Sequence, residues 1–267
     1  MKPTTPAAEA CIVCEGPTTF KTVTWHRNPD RRIFLNNCGV CGFVRVVDNP
    51  WNYAEKGFSD NSTSGPRVGT ESRTGREFHM AMLGLDLLDI DNARVLILGA
   101  GLSRDWLHIS RDDRVDSVTT SDLENFNQSP DFLELDQQGT REFDLVIACE
   151  VLEHLTNPRV DFVQIFSNLS SRGVFVASTN IYDFSPLERH WYPFIPGHVS
   201  YHSAGSLECL ARASGLRVDF RVPLVATQRA GRRKRYVIFS GHDDAMSTAA
   251  NWFATNWYAP SEIDNRR

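Results

Sequence analysis

The sequence predicts an α/β fold on a mostly parallel sheet, with a small cysteine-bearing domain in front of it. Three observations carry this reading. Short apolar runs alternate with helical patterns through the middle of the chain, which implies parallel strands with helical crossovers. The last two strand-like runs are joined by a polar, basic stretch instead of a helix, which is most simply an antiparallel pair. Two C-x-x-C pairs stand near the N-terminus, apart from the alternating region.

The elements follow in order. Residues 1–10 hold two prolines and no periodicity, a loose tail, and residues 11–48 carry the cysteine pairs with strand-like runs such as Phe43-Val44-Arg45-Val46-Val47. Residues 49–77 are rich in Asn, Ser, Gly and Pro, including Asp60 to Pro66, and read as a linker or lid. Phe78, Met82, Leu85 and Leu88 recur at helical spacing before the buried strand Val95-Leu96-Ile97-Leu98. Further strands are expected at Ser117 to Thr120, Phe132 to Leu135, Leu145 to Ala148, Val174 to Ala177, Leu216 to Val222 and Tyr236 to Ser240, with a helix over Val160 to Leu169. These make a seven-stranded sheet within a large domain, residues 78–245. Residues 246–267 read as an aromatic C-terminal helix and tail.

At 267 residues the chain can bury one large core plus an appendage. A formal net charge of -5 provides no basic field, so no nucleic-acid partner is expected. No N-terminal stretch joins a basic start to an apolar run, and no window approaches the ~20 apolar residues of a membrane span. A cytoplasmic location is therefore expected. In that reducing compartment paired cysteines suggest metal before disulfide.

Cys11 and Cys14, then Cys38 and Cys41, form two C-x-x-C turns separated by 23 residues, and Gly42 follows the second. Two such turns aim four thiolates at one tetrahedral ion. Four thiolates leave no open position for water, so the expected metal is a structural zinc. A redox-active pair is the other reading, but such motifs precede a helix in a βαβ unit, whereas strands and turns surround these.

The run ending in Gly99-Ala100-Gly101 puts two glycines where a buried strand turns toward a helix, so a ligand can approach the backbone closely. Asp122 stands 21 residues beyond Gly101, at the end of the next strand, placed to accept hydrogen bonds from ribose hydroxyls. The pair points to an adenosine-containing cofactor. Arg104 occupies the third glycine position of a dinucleotide fingerprint, which argues against a pyrophosphate there.

The stretch Phe143-Asp-Leu-Val-Ile-Ala-Cys-Glu150-Val-Leu-Glu153-His154-Leu, taken with that loop, resembles class I S-adenosylmethionine-dependent methyltransferases, and the resemblance runs from about Phe78 to Ser240. It implies a Rossmann-like seven-stranded sheet with a terminal antiparallel strand and S-adenosylmethionine as cofactor. It places Gly99, Ala100 and Gly101 at the methionine part, Asp122 and Leu123 at the ribose, Asp136 at the adenine edge and Glu150 on the near face. Ile97 stands where the family often has an acid, and Ser103 where it has a third glycine. Glu150, Glu153 and His154 also admit a metal cluster as the weaker reading; the resemblance implies a structural role for Glu153 and His154.

After the fifth strand an aromatic loop, residues 180–203, holds three histidines. Gly197-His198-Val-Ser-Tyr201-His202-Ser resembles the Glu-His-x-x-Tyr-x-Ser segment of zinc-containing sugar C-methyltransferases. That likeness implies His198 as general base, with His190 and His202 in reserve; the plainer alternative is that His198 caps a helix or packs the loop. Arg229, Arg232, Arg233 and Arg235 lie on a basic hairpin, either a solvated turn or a grip for a phosphate-bearing substrate. The expected function is methyl transfer to a small molecule, foremost a sugar or nucleotide-linked sugar. The alternatives are O-methylation of an aromatic or lipid-like hydroxyl, and a non-catalytic scaffold. The oligomeric state is not legible in the sequence.

Overall fold

A computed structural model of the protein describes residues 9–47, 68–134, 137, 139–190, 192–221 and 234–255. In chain order its elements are β1 (Thr18–Trp25), β2 (Asn28–Cys38), β3 (Val44–Val46), α1 (Arg76–Leu88), β4 (Ala93–Leu98), α2 (Asp105–Ile109), β5 (Val115–Ser121), β6 (Phe143–Cys149), α3 (Pro158–Ser167), β7 (Leu169–Asn180), β8 (Ser200–Tyr201), α4 (Ala204–Ala213), β9 (Arg217–Arg221), β10 (Lys234–Ser240) and α5 (Asp243–Thr255).

The main sheet runs β5-β4-β6-β7-β10-β9. Its first four strands are parallel, and β10 is antiparallel to both β7 and β9. Six strands are seen among the described residues: of the strand expected over Phe132 to Leu135, Phe132 makes an isolated parallel bridge to Thr120, and Leu135 lies outside the described residues, as does Asp136. Val95 to Leu98, Leu145 to Ala148 and Val174 to Ala177 are buried throughout, because both faces of the sheet are covered. Helix α1 packs close on one face. A Cβ at Gly84 would lie 2.3 Å from a Leu145 methyl, so the glycine permits that approach.

The opposite face packs against α3, α4 and the cysteine turns, where Cys11, Val13, Cys38, Cys41 and Phe43 share one apolar cluster with Leu96, Leu98, Phe162, Phe175 and Phe239. Each fully buried side chain of this size contributes about 1.5–3 kcal/mol. A second sheet, β1-β2-β3-β8, is antiparallel throughout. Its fourth strand, β8, belongs to the aromatic loop, so the N-terminal segment and that loop form one sheet. Their joint core contains Trp25, Ile33, Leu35, Val44, Leu187, Phe194, Val199 and Tyr201.

No helix among the described residues is long and apolar enough to cross a membrane. The 49–67 part of the expected lid, and Arg229, Arg232 and Arg233 of the basic hairpin, lie outside the described residues.

Candidate active site

Strands β4, β5 and β6 deliver their C-terminal ends to one edge of the sheet, and the glycine loop, Asp122 and Glu150 stand there. Gly99 and Gly101 have φ of 67° and 53°, the left-handed region that glycine enters freely. A Cβ at Gly99 would also lie 2.5 Å from a Val151 methyl, so the turns after β4 and β6 meet too closely for any side chain. Gly101 N–H and Leu123 N–H donate to the two carboxylate oxygens of Asp122 at 2.8 and 2.7 Å. This ties the glycine loop to the acid. Burial raises the Asp122 pKa, partly offset by those two amides. Ala100 is buried within the loop and Leu123 is exposed at its rim.

The N-terminus of α1 borders the same loop, which sequence reasoning missed. Gly75 precedes α1 and has no side chain to cap it, and Asp105 supplies the cap from α2, accepting Gly75 N–H at 2.6 Å and Phe78 N–H at 3.2 Å. Ser103 donates its hydroxyl to Glu77 at 3.1 Å. Arg76 approaches Glu150 at 4.0 Å. Nothing in the residue pattern marks Arg76 or Glu77 as neighbours of the glycine loop.

Glu150 follows β6 directly and has a φ of 60°, the left-handed region. Ser178 donates to one of its oxygens at 2.8 Å and the Tyr192 hydroxyl to the other at 3.2 Å. Beyond it a 3-10 turn over Leu152–His154 is stitched to the aromatic loop. Val199 N–H donates to the Glu153 carbonyl, and His154 Nδ1 bonds the Gly197 carbonyl, both at 2.9 Å. His198 is thereby set against Glu153, its Nε2 4.0 Å from the carboxylate, with Tyr192 and His154 rings at 4.5 and 4.7 Å. Thr179 donates to the other Glu153 oxygen at 3.0 Å. Burial pushes His154 down to about 4, which keeps its ring neutral near pH 7.

The other two histidines go elsewhere. His202 lies in the core between Phe43 and Phe162, its ring 5.1 and 5.8 Å from theirs, and burial pushes its pKa down to about 4. It joins the cysteine turns to α3. His190 bonds Ser185 at 2.9 Å, and its carbonyl accepts the Trp25 indole N–H at 2.9 Å. Asp136 lies outside the described residues.

The four cysteine sulfurs of Cys11, Cys14, Cys38 and Cys41 lie within 4.8 Å of one another, and none forms a disulfide. Cys11 and Cys41 sulfurs are 3.7 Å apart, Cys14 and Cys38 sulfurs 3.4 Å. Val13, Val40 and Cys41 N–H groups point at the sulfurs of Cys11 and Cys38 at 3.4 Å, the amide pattern that stabilises thiolate.

A family model described as a methyltransferase domain matches residues 65–219, more than half of the chain. The chain belongs to this methyltransferase family. No curated protein matches it by sequence. Among solved structures, the methyltransferase is similar to the Burkholderia thailandensis 1,6-didemethyltoxoflavin-N1-methyltransferase at 20% identity and a TM-score of 0.46, covering 60% of this chain and 75% of that one. It is similar to an S-adenosylmethionine-dependent methyltransferase from Mesorhizobium loti at 19% identity and a TM-score of 0.43, covering 59% and 95%. It is also similar to the [4+2]-cyclase SpnF at 16% identity and a TM-score of 0.45, covering 66% and 83%.

Proposed function

We propose that this methyltransferase methylates a small ring-shaped acceptor, foremost a sugar or nucleotide-linked sugar, held between the sheet edge and the aromatic loop. The single observation carrying the reading is that the glycine loop, Asp122 and Glu150 share one edge with His198. Bound cofactor supplies a methyl group on a sulfonium, which is already activated for transfer, so alignment provides most of the rate. Gly99, Ala100 and Gly101 leave room for the methionine part, and Asp122 accepts the ribose hydroxyls beside Leu123. Glu150 is braced by Ser178 and Tyr192 to face the bound nucleoside. His198 and Glu153 mark the end of the cleft where the acceptor loses its proton.

Tyr182 and the exposed Phe184 lie 5.3 Å apart on the same loop and offer faces for a sugar ring. Together with the likeness of residues 197–203 to sugar C-methyltransferases, they favour a sugar over other acceptors. Cys11, Cys14, Cys38 and Cys41 hold a structural zinc in this reading, since about 3.8 Å separates ligands on a tetrahedral ion with Zn–S near 2.3 Å.

Titration calorimetry with S-adenosylmethionine tests the cofactor site: binding to the wild type and its loss in Asp122→Ala are expected, and unchanged binding in the variant would overturn the assignment. Incubation with methyl-labelled cofactor and parallel panels of nucleotide-linked sugars, free sugars and phenols tests the acceptor. Label confined to phenols would replace the sugar reading.

A further inference from the structure

The cluster at the acceptor end contains the donor set of a second metal site. Glu153 and His154 come from the 3-10 turn after β6, and His198 comes from the aromatic loop 44 residues further on. One ligand atom from each lies within 4.8 Å of the other two. The backbone that brings them together is itself hydrogen-bonded, through Val199 to Glu153 and through His154 Nδ1 to the Gly197 carbonyl. The second bond fixes the tautomer. With Nδ1 donating to a carbonyl, the Nε2 of His154 is the atom with a lone pair, the arrangement that metal-binding histidines adopt.

The spacing favours an ion over a direct contact. Glu153 and His198 are 4.0 Å apart, which is longer than a hydrogen bond between that pair. Metal–nitrogen and metal–oxygen bonds run near 2.0–2.2 Å, so two donors on one ion sit up to about 4.2 Å apart. Glu153 is 1% exposed and its other oxygen is held by Thr179 at 3.0 Å, so its carboxylate is aimed and braced in the manner of a ligand.

We infer that Glu153, His154 and His198 bind a divalent first-row transition-metal ion at the acceptor end of the proposed site. Two imidazoles and one carboxylate select such an ion over magnesium or calcium, which take oxygen ligands, and three protein ligands leave coordination positions open for an acceptor oxygen. The inference rests on the reading of this end as the acceptor side and specifies how the proton leaves there. An acceptor hydroxyl on the ion loses its proton to solvent water; its oxygen lone pair then forms the new C–O bond as the methyl–sulfur bond breaks and its electron pair returns to sulfur. His198 acts as a ligand in this scheme and not as a lone base.

Cobalt(II) added to the full-length chain tests it, followed by visible absorption and by calorimetry, with S-adenosylmethionine binding measured on the same samples. Cobalt in the four-cysteine site shows thiolate charge-transfer absorption; cobalt at this site shows ligand-field bands without it. The expected result is a saturable sulfur-free cobalt signal in the wild type, weakened at least about tenfold in His198→Ala and Glu153→Gln. Both variants are expected to bind S-adenosylmethionine as the wild type does, which shows that they are folded. Absence of a sulfur-free signal, or equal signals in all three proteins, overturns the inference. Should Glu153→Gln misfold, His198→Gln with retained cofactor binding decides it alone. Asp122→Ala separates the two readings: it is expected to lose the cofactor and keep the cobalt signal, whereas cofactor binding without cobalt sinks only the metal site.

Discussion

Glu77 is buried beside Ser103 and Asp105, and burial together with its bond to Asp105 pushes its pKa up to about 8. A glutamate in the unfolded chain ionises near 4.5. Between those values the folded chain keeps a proton that the unfolded chain has lost, so this group's stabilisation is fully present below 4.5 and is lost as pH rises through about 8. Glu77→Gln keeps a neutral, hydrogen-bonding side chain and removes that dependence. Its melting temperature, followed from pH 5 to 8.5, is expected to fall less with pH than that of the wild type; parallel curves would refute the assignment. Among the histidines the same physics sorts roles that sequence left together. His198 meets a carboxylate at the sheet edge, His202 is enclosed by phenyl rings, and nothing in a window of seven residues distinguishes them.

The aromatic loop is held as an element by one side chain above others. The Tyr201 hydroxyl donates to the His198 carbonyl at 2.9 Å and accepts Phe194 N–H at 2.8 Å, and its backbone forms β8 against β3. Tyr201→Phe leaves two buried backbone groups without this partner, at a cost of about 1–3 kcal/mol. Its expected signature is a raised KM for the acceptor with unchanged affinity for S-adenosylmethionine, because the glycine loop sits on other strands. Equal losses on both sides would show that the loop also builds the cofactor site. The hairpin of β9 and β10 was legible as two runs without an intervening helix, and α3 as a helical pattern displaced by two residues. The strand expected from Phe132 shows how a strand-like run can supply only a bridge at a sheet edge, where a single neighbour offers hydrogen bonds.

The whole molecule couples its cysteine turns to its aromatic loop. Val46 N–H bonds the Val199 carbonyl at 2.9 Å, Trp25 bonds the His190 carbonyl, and Ser203 donates to the Cys41 carbonyl. Structural zinc in small fingers contributes ~10–16 kcal/mol of apparent binding energy, so on the proposed zinc reading its loss would release β1, β2 and β3 and with them the support of the loop. Cys38→Ser is expected to speed amide hydrogen exchange in residues 182–201 and to abolish methyl transfer while S-adenosylmethionine still binds. Unaltered exchange in that segment would show that the two parts are independent. The distance in sequence between Val46 and Val199 explains why this coupling was illegible: a three-residue strand and a two-residue strand carry no periodic signal, and only their pairing defines them.

The sequence by itself determined the α/β class, the antiparallel pairing of the last two strands, the four-cysteine cluster and the glycine loop with Asp122 beside it. All of these arise from local causes: apolar runs, turn chemistry and ligands a few residues apart. Only the tertiary structure decided that Asp105 caps α1, that β8 completes the N-terminal sheet, and that His198 stands against Glu153 and His154. Those contacts join residues from 27 apart (Phe78 and Asp105) to 157 apart (Val44 and Tyr201), and side-chain chemistry at such separations acquires a partner only when packing has closed the chain upon itself.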